Sequence, residues 1–161
     1  MILIHLAKMT LLDTSSDYFG EVFVPEQVKK EVLNPIYPDA KIIEASFASG
    51  KIKVRAVKNK KLIERANEFN IQRGEAEAVA LYWEMNADLI ATDDDNVRKK
   101  RDVLRLNIIG TPAIILRLFK EKKINRPKLE ESIRKLREIG WFSNTIWDKI
   151  RLEADKFGEV K

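Results

Sequence analysis

Four short apolar runs constrain this chain more than any other feature. EVFVP (21–25), KIKVRAV (51–57), ADLIAT (87–92) and NIIGT (107–111) are each followed by residues of helical character. Strands that alternate with helices pair in parallel, because a parallel connection needs a long crossover that a helix supplies. The order therefore predicts an α/β domain with a mostly parallel sheet flanked by helices. No internal repeat, linker or low-complexity tract interrupts residues 1–161, so a single domain is expected.

The helices read as follows. Residues 2–12 form a short buried helix, and PEQVKKEVL opens with Pro25 as its first helical residue. NPIYP (34–38) breaks that helix, and an amphipathic piece leads to Gly50. In KIKVRAV, Ile52, Val54 and Ala56 alternate with Lys51, Lys53 and Arg55, which predicts one buried and one basic face. A polar helix over 59–69 precedes RGEAEAVALYWEM (73–85), apolar almost all round and therefore buried. Residues 96–106 form a basic helix, and Pro112 opens another to 123. Leu129, Ile133, Leu136 and Ile139 make one stripe that Gly140 stops. Ser143 caps a last helix burying Ile146, Trp147 and Ile150. Residues 121–161 are thus a helical extension packed on the domain.

Composition narrows the chemistry. There is no Cys and a single His, His5, so thiolate metal sites, disulfides and Cys nucleophiles are excluded, and a zinc site or a His general base is disfavoured. Hydrolysis by such a chain must use carboxylates, with a hard metal ion. The formal net charge of +5 suits a polyanionic partner. MILIHLAKMTLLD lacks the basic start and small-residue cleavage site of a signal peptide, and no stretch reaches transmembrane length, so a cytoplasmic protein is expected.

The run Asp93–Asp94–Asp95 follows LIAT directly. Functional groups of parallel α/β sheets gather at the carboxyl ends of strands. Three adjacent carboxylates held dry repel one another, so either water separates them or a cation sits among them. Asp94 or Asp95 can also cap the helix that follows, which accounts for one aspartate and leaves two. In RGEAEAVAL, Gly74 permits a tight turn and Glu75 opens the apolar helix. Glu77 lies about 200° round the axis from Glu75, so one of them faces a shared pocket. Glu31 borders the buried face marked by Val28 and Val32, as a functional acid or a solvated edge residue. Arg98, Lys99, Lys100, Arg101 and Arg105 lie just beyond the aspartates, where they can hold phosphates or simply face solvent.

LIHLAKM, VPEQVKKEVL, RGEAEAVAL, ADLIATDDDNVRKK, NIIGTPAIILRLFKEKKI and LREIGWFSNTIWDKI, in this order, resemble the PIN-domain family of metal-dependent ribonucleases, in its solitary, toxin-like branch related to VapC. The resemblance implies a PIN-like three-layer α/β fold and a carboxylate pocket at the strand ends that binds Mg²⁺ or Mn²⁺ and hydrolyses RNA. It implies Glu31, Glu75 and Asp94 as the catalytic acids, with Asp93 joining them as metal ligands. Glu77, Thr92 and Asp95 are accessory, and Arg98, Lys99, Lys100 and Arg101 bind RNA. A small antitoxin and a homodimer are the partners it implies.

The family's first acid ends its first, central strand. Aligning LIHLAK places that acid two residues before Met1, so the first strand is expected to be missing from the chain. His5 then falls inside the matched helix as a core residue. A catalytically inactive RNA- or protein-binding module on the same scaffold is the alternative expectation.

Overall fold

A computed structural model describes residues 1–159; the end of the domain expected over 1–161, at Val160 and Lys161, lies outside the described residues. The apolar runs become short strands: β1 (Val22–Val24), β2 (Ile52–Val54), β3 (Ile90–Ala91) and β4 (Ile108–Ile109). β1 pairs with β2 in parallel, Val22 opposite Ile52 and Val24 opposite Val54. β3 pairs with β4 in parallel, Ile90 opposite Ile108. The α/β class and the parallel pairing agree with the sequence pattern, and the strands form two separate two-stranded sheets among the described residues. Of the described residues 64% are helical, so helices carry most of the packing.

The expected helix over 2–12 is two helices, α1 (Ile2–Lys8) and α2 (Leu12–Phe19). Thr10 takes a left-handed φ of 56° between them, a conformation that ends a helix. No helix was expected beyond residue 12, and Asp13, Thr14, Ser15 and Ser16 give little signal for one because their side chains compete for backbone hydrogen bonds. Here the Ser16 hydroxyl donates back to the Leu12 carbonyl at 2.8 Å instead. Pro25 caps α3 (Glu26–Val32) from an extended conformation, one position earlier than expected.

α4 (Ala40–Ala48) leads to β2, whose expected alternation fails. Ile52 is buried, whereas Val54 and Ala56 are exposed. The partner strand β1 differs, because Val24, opposite Val54, is buried. The cations of the 51–57 stretch settle over an aromatic: Lys53 Nζ lies 5.7 Å and Arg55 Cζ 5.8 Å from the Phe23 ring.

α5 (Lys60–Glu68) packs on α6 (Arg73–Met85), which buries Gly74, Ala76, Val79, Ala80 and Leu81 and leaves Tyr82 to Met85 partly exposed. The basic stretch after β3 divides at Lys100 into α7 (Asp95–Lys99) and α8 (Arg101–Leu104). After β4, α9 (Thr111–Lys120) and α10 (Arg126–Ile139) form a helical wall with α11 (Asn144–Glu159). Leu129, Ile133 and Leu136 are buried as their spacing predicted, together with Trp147 and Ile150, while Ile139 and Ile146 are only partly so. The largest core joins α1, β1, α9, α10 and α11, and a smaller one lies between α6, β3, α7 and α8.

Candidate active site

β3 ends at Ala91, and the next three residues divide between two sides of the strand end. Thr92 is buried. Its hydroxyl donates to Glu75 Oε2 at 3.0 Å and accepts the amide of Asp94 at 3.0 Å. The single hydroxyl proton is thereby committed to the carboxylate, which fixes the strand end to the first turn of α6.

Burial pushes the Glu75 carboxyl above its ordinary value, and the charges of Asp94 and Glu31 push the same way. The Thr92 hydrogen bond and the α-ammonium of Met1 oppose this without cancelling it. Glu31 reaches the corner from α3. Its Oε1 accepts the Gly74 amide at 3.3 Å and the Gln27 side-chain amide at 3.1 Å.

The expected tight turn at Gly74 lies one residue earlier, at Arg73, with φ 52°. Gly74 serves close approach: a Cβ there would stand 2.7 Å from Glu31 Oε2. Glu77 faces away from Glu75, as their spacing requires, and accepts the Gln27 backbone amide at 3.2 Å.

Asp94 is the N-cap of α7, its Oδ1 accepting the Val97 amide at 2.8 Å. Asp95 points to solvent and pairs with Lys99 at 2.6 Å, which lowers its carboxyl through that hydrogen bond.

Asp93, expected beside Asp94 as a metal ligand, turns to the opposite side. Its Oδ1 accepts the Thr111 amide at 2.7 Å, and its Oδ2 accepts both the Thr111 hydroxyl and His5 Nδ1–H, the latter at 3.1 Å. Burial would raise this carboxyl, but the bonds from His5 and Thr111 outweigh it and hold it below the ordinary range. Alternation along an extended chain explains the split, since consecutive side chains project to opposite faces. Asp93 therefore ties the strand end to α1 and the start of α9.

The four basic residues separate as well. Arg98, Lys99 and Arg101 line a shallow groove of about 250 Å³ with Ile108. Arg98 Nη1 lies 3.5 Å from the Thr92 carbonyl, which puts this groove beside the acidic corner. Lys100 is turned the other way and donates to the Phe69 carbonyl and to Asn96.

The model of the PIN domain matches residues 1–156. The chain belongs to the PIN-domain family. No curated protein and no solved structure matches it significantly. PIN domains are generally nucleases that use divalent metals.

In this PIN domain the available donors are carboxylate and hydroxyl oxygens, which suit a hard cation. Among the described residues no three acidic or imidazole side chains stand close enough to hold one ion together. The arrangement fits a largely hydrated Mg²⁺ with one or two direct carboxylates and does not fit a closed protein cage. Glu75 is the candidate direct donor, because a partly buried carboxylate on which the charges of Asp94 and Glu31 also bear gains most from a cation. No helix among the described residues is long and apolar enough to cross a membrane.

Sequence reasoning missed the partnership of His5 and Thr111 with Asp93. GTP at 110–112 carried a signal for it: a Thr opening a helix beside a strand end can engage a neighbouring carboxylate. Nothing local in IHLAK marks His5 as its partner.

Proposed function

We propose that this PIN domain is a metal-dependent endoribonuclease, cytoplasmic, acting over the whole chain as one unit. Glu31, Glu75 and Asp94 are its catalytic acids. The observation that carries the reading is the corner itself: Thr92 at the end of β3 bonds both Glu75 and the Asp94 backbone, and the Gly74 amide beside Glu75 holds Glu31, in a place where burial pushes the Glu75 carboxyl up. A corner that penalises its own ionised carboxylate is relieved by a cation.

A bound Mg²⁺ or Mn²⁺ supplies Lewis acidity toward a phosphodiester oxygen and a more acidic water. The chain's own groups do the positioning. Thr92 holds Glu75, the Gly74 amide and Gln27 hold Glu31, and the Val97 amide leaves Asp94 Oδ2 free. Arg98, Lys99 and Arg101 take phosphates in the adjoining groove. Lys100, committed to the Phe69 carbonyl, supports the corner instead.

Within the family, we assign the chain to the toxin-like, VapC-related branch, with a small antitoxin as partner and a homodimer as its working state. The order of motifs from LIHLAKM to LREIGWFSNTIWDKI supports this assignment. Light scattering that returns a monomer at high concentration removes the dimer.

The test is cleavage of a mixed RNA pool with Mn²⁺. The parent protein should cleave, EDTA should stop it, and Asp94→Asn should be inactive; undiminished cleavage by Asp94→Asn removes the assignment. The lack of a three-ligand group among the described residues favours one second reading, a catalytically inactive RNA- or protein-binding module. Calorimetry separates the two: heat of Mn²⁺ binding that needs Glu75 belongs to the nuclease.

A further inference from the structure

A second groove, of about 430 Å³, lies between α10 and α11. Arg134, Arg137 and Arg151 line it, with Glu130, Glu138 and the buried Ile133. Glu130 is already paired with Arg126 at 3.0 Å. None of the three arginines has a carboxylate within ion-pair distance among the described residues. Arg137 lies 6.0 Å over the Trp147 ring, which holds it at the groove, and the three guanidiniums outnumber the two carboxylates of the lining, so the cleft favours a polyanion whose phosphates match their planar forks.

Trp141 stands at the corner joining these helices, four residues after Arg137, and is fully exposed at 103%. An indole with no cover contributes nothing to the core. Its neighbour Phe142 turns inward, 5.7 Å from the Trp147 ring and 6.3 Å from the His5 ring. Phe142 therefore anchors the corner and holds Trp141 outward on a fixed support. His5 in turn reaches Asp93 at 3.1 Å, so two contacts link this corner to the strand end that carries Thr92 and Asp94.

We propose that the α10–α11 groove and Trp141 bind single-stranded RNA, with phosphates on Arg134, Arg137 and Arg151 and a base stacked on the indole. The role of that strand, as substrate led toward the carboxylate corner, rests on the ribonuclease reading. A base stacked on an indole needs no particular sequence, and a charged groove tracks a backbone. A protein partner would call for apolar surface around the tryptophan, whereas the groove offers charged side chains around one buried isoleucine.

The probe is a single-stranded oligouridylate of about a dozen nucleotides, in EDTA so that metal-dependent cleavage is silent. Binding should quench tryptophan emission. Trp141→Ala should remove most of the quench and weaken binding roughly fivefold or more, the loss of one stacked base. Arg134→Gln with Arg151→Gln should lower the salt slope of binding by about 1.4, two phosphate contacts on a single strand. All these positions are exposed, and circular dichroism checks that each variant is folded. Oligouridylate binding that neither variant changes overturns the groove, and so does a parent protein that binds no oligouridylate. Loss of self-association in Trp141→Ala with RNA binding intact also overturns it, in favour of a protein interface. The ribonuclease reading fails separately, through cleavage by Asp94→Asn as fast as by the parent.

Discussion

The Thr92 hydroxyl donates to Glu75 Oε2 at 3.0 Å, joining the carboxyl end of β3 to the first turn of α6. Through this one bond a strand end and a helix start share a carboxylate, and the burial of that carboxylate, which the bond only partly offsets, sets its response to protons.

Glu75 is raised above 4.5 chiefly by burial, so the folded chain holds that proton more tightly than the unfolded one. Its contribution to stability therefore falls as pH rises above 4.5. Glu75→Gln should be more stable than the parent at neutral pH, by about 1 kcal/mol. Mn²⁺ should raise the parent's Tm and leave that of the variant unchanged. Calorimetric melts with and without Mn²⁺ read both effects.

Asp93 shows the opposite sign. Its folded carboxyl lies below 3.8, so the stability it confers is present above that pH and is lost as pH falls through the folded value. Asp93→Asn should cost about 2–3 kcal/mol at neutral pH, the loss of charge-assisted bonds to His5 and Thr111. Urea unfolding at a series of pH values should show a flatter acid limb for the variant.

Asp94 caps α7, and the proposed function gives it a second, separable duty in cleavage. Asparagine retains a capping oxygen for the Val97 amide, whereas alanine does not, so Asp94→Ala should lose about 1 kcal/mol and Asp94→Asn much less. Cleavage should be abolished by both. Equal stability of the two variants would remove the capping role; activity in either would remove the catalytic one.

Gly74→Ala tests positional tolerance. The new Cβ would lie 2.7 Å from Glu31 Oε2 and must displace that carboxylate. A shift near 1 Å at a catalytic group costs on the order of 100-fold in rate. Cleavage should fall by about that factor while the Tm changes little, which separates displacement of an acid from unfolding.

The basic residues of α7 and α8 should divide along the lines of their contacts. Arg98→Gln with Arg101→Gln should weaken RNA binding and lower its salt slope by about 1.4. Lys100→Gln should leave the slope unchanged and lower the Tm, because its ammonium serves the Phe69 carbonyl.

Much of this fold could be read from local pattern. The four apolar runs mark the strands because branched apolar residues bounded by helical periodicity have few alternatives. What escaped the pattern was set by partners far along the chain. Val54 is exposed while Val24, opposite it on a strand with equally one neighbour, is buried, and no periodicity reports which strand the rest of the chain will cover. α2 was hidden by a run of Asp, Thr and Ser residues, of which Ser16 turns its hydroxyl back to the helix. In the site, Glu31, Glu75 and Asp94 were visible as acids at helix edges and a strand end. The separation of Asp93 from Asp94 was not, because His5 lies 88 residues away in sequence and only the fold makes them neighbours.

The two sheets also set an order of events during folding. β1 finds β2 across α3 and α4 alone, and β3 finds β4 across α7 and α8 alone, so each pair closes within its own half of the chain. Glu31 belongs to the first half and Asp94 to the second, with Glu75 at the start of the helix between them. The three acids become neighbours only when the halves dock. On refolding from urea, helical signal should return first, and affinity for Mn²⁺ should be the last property recovered.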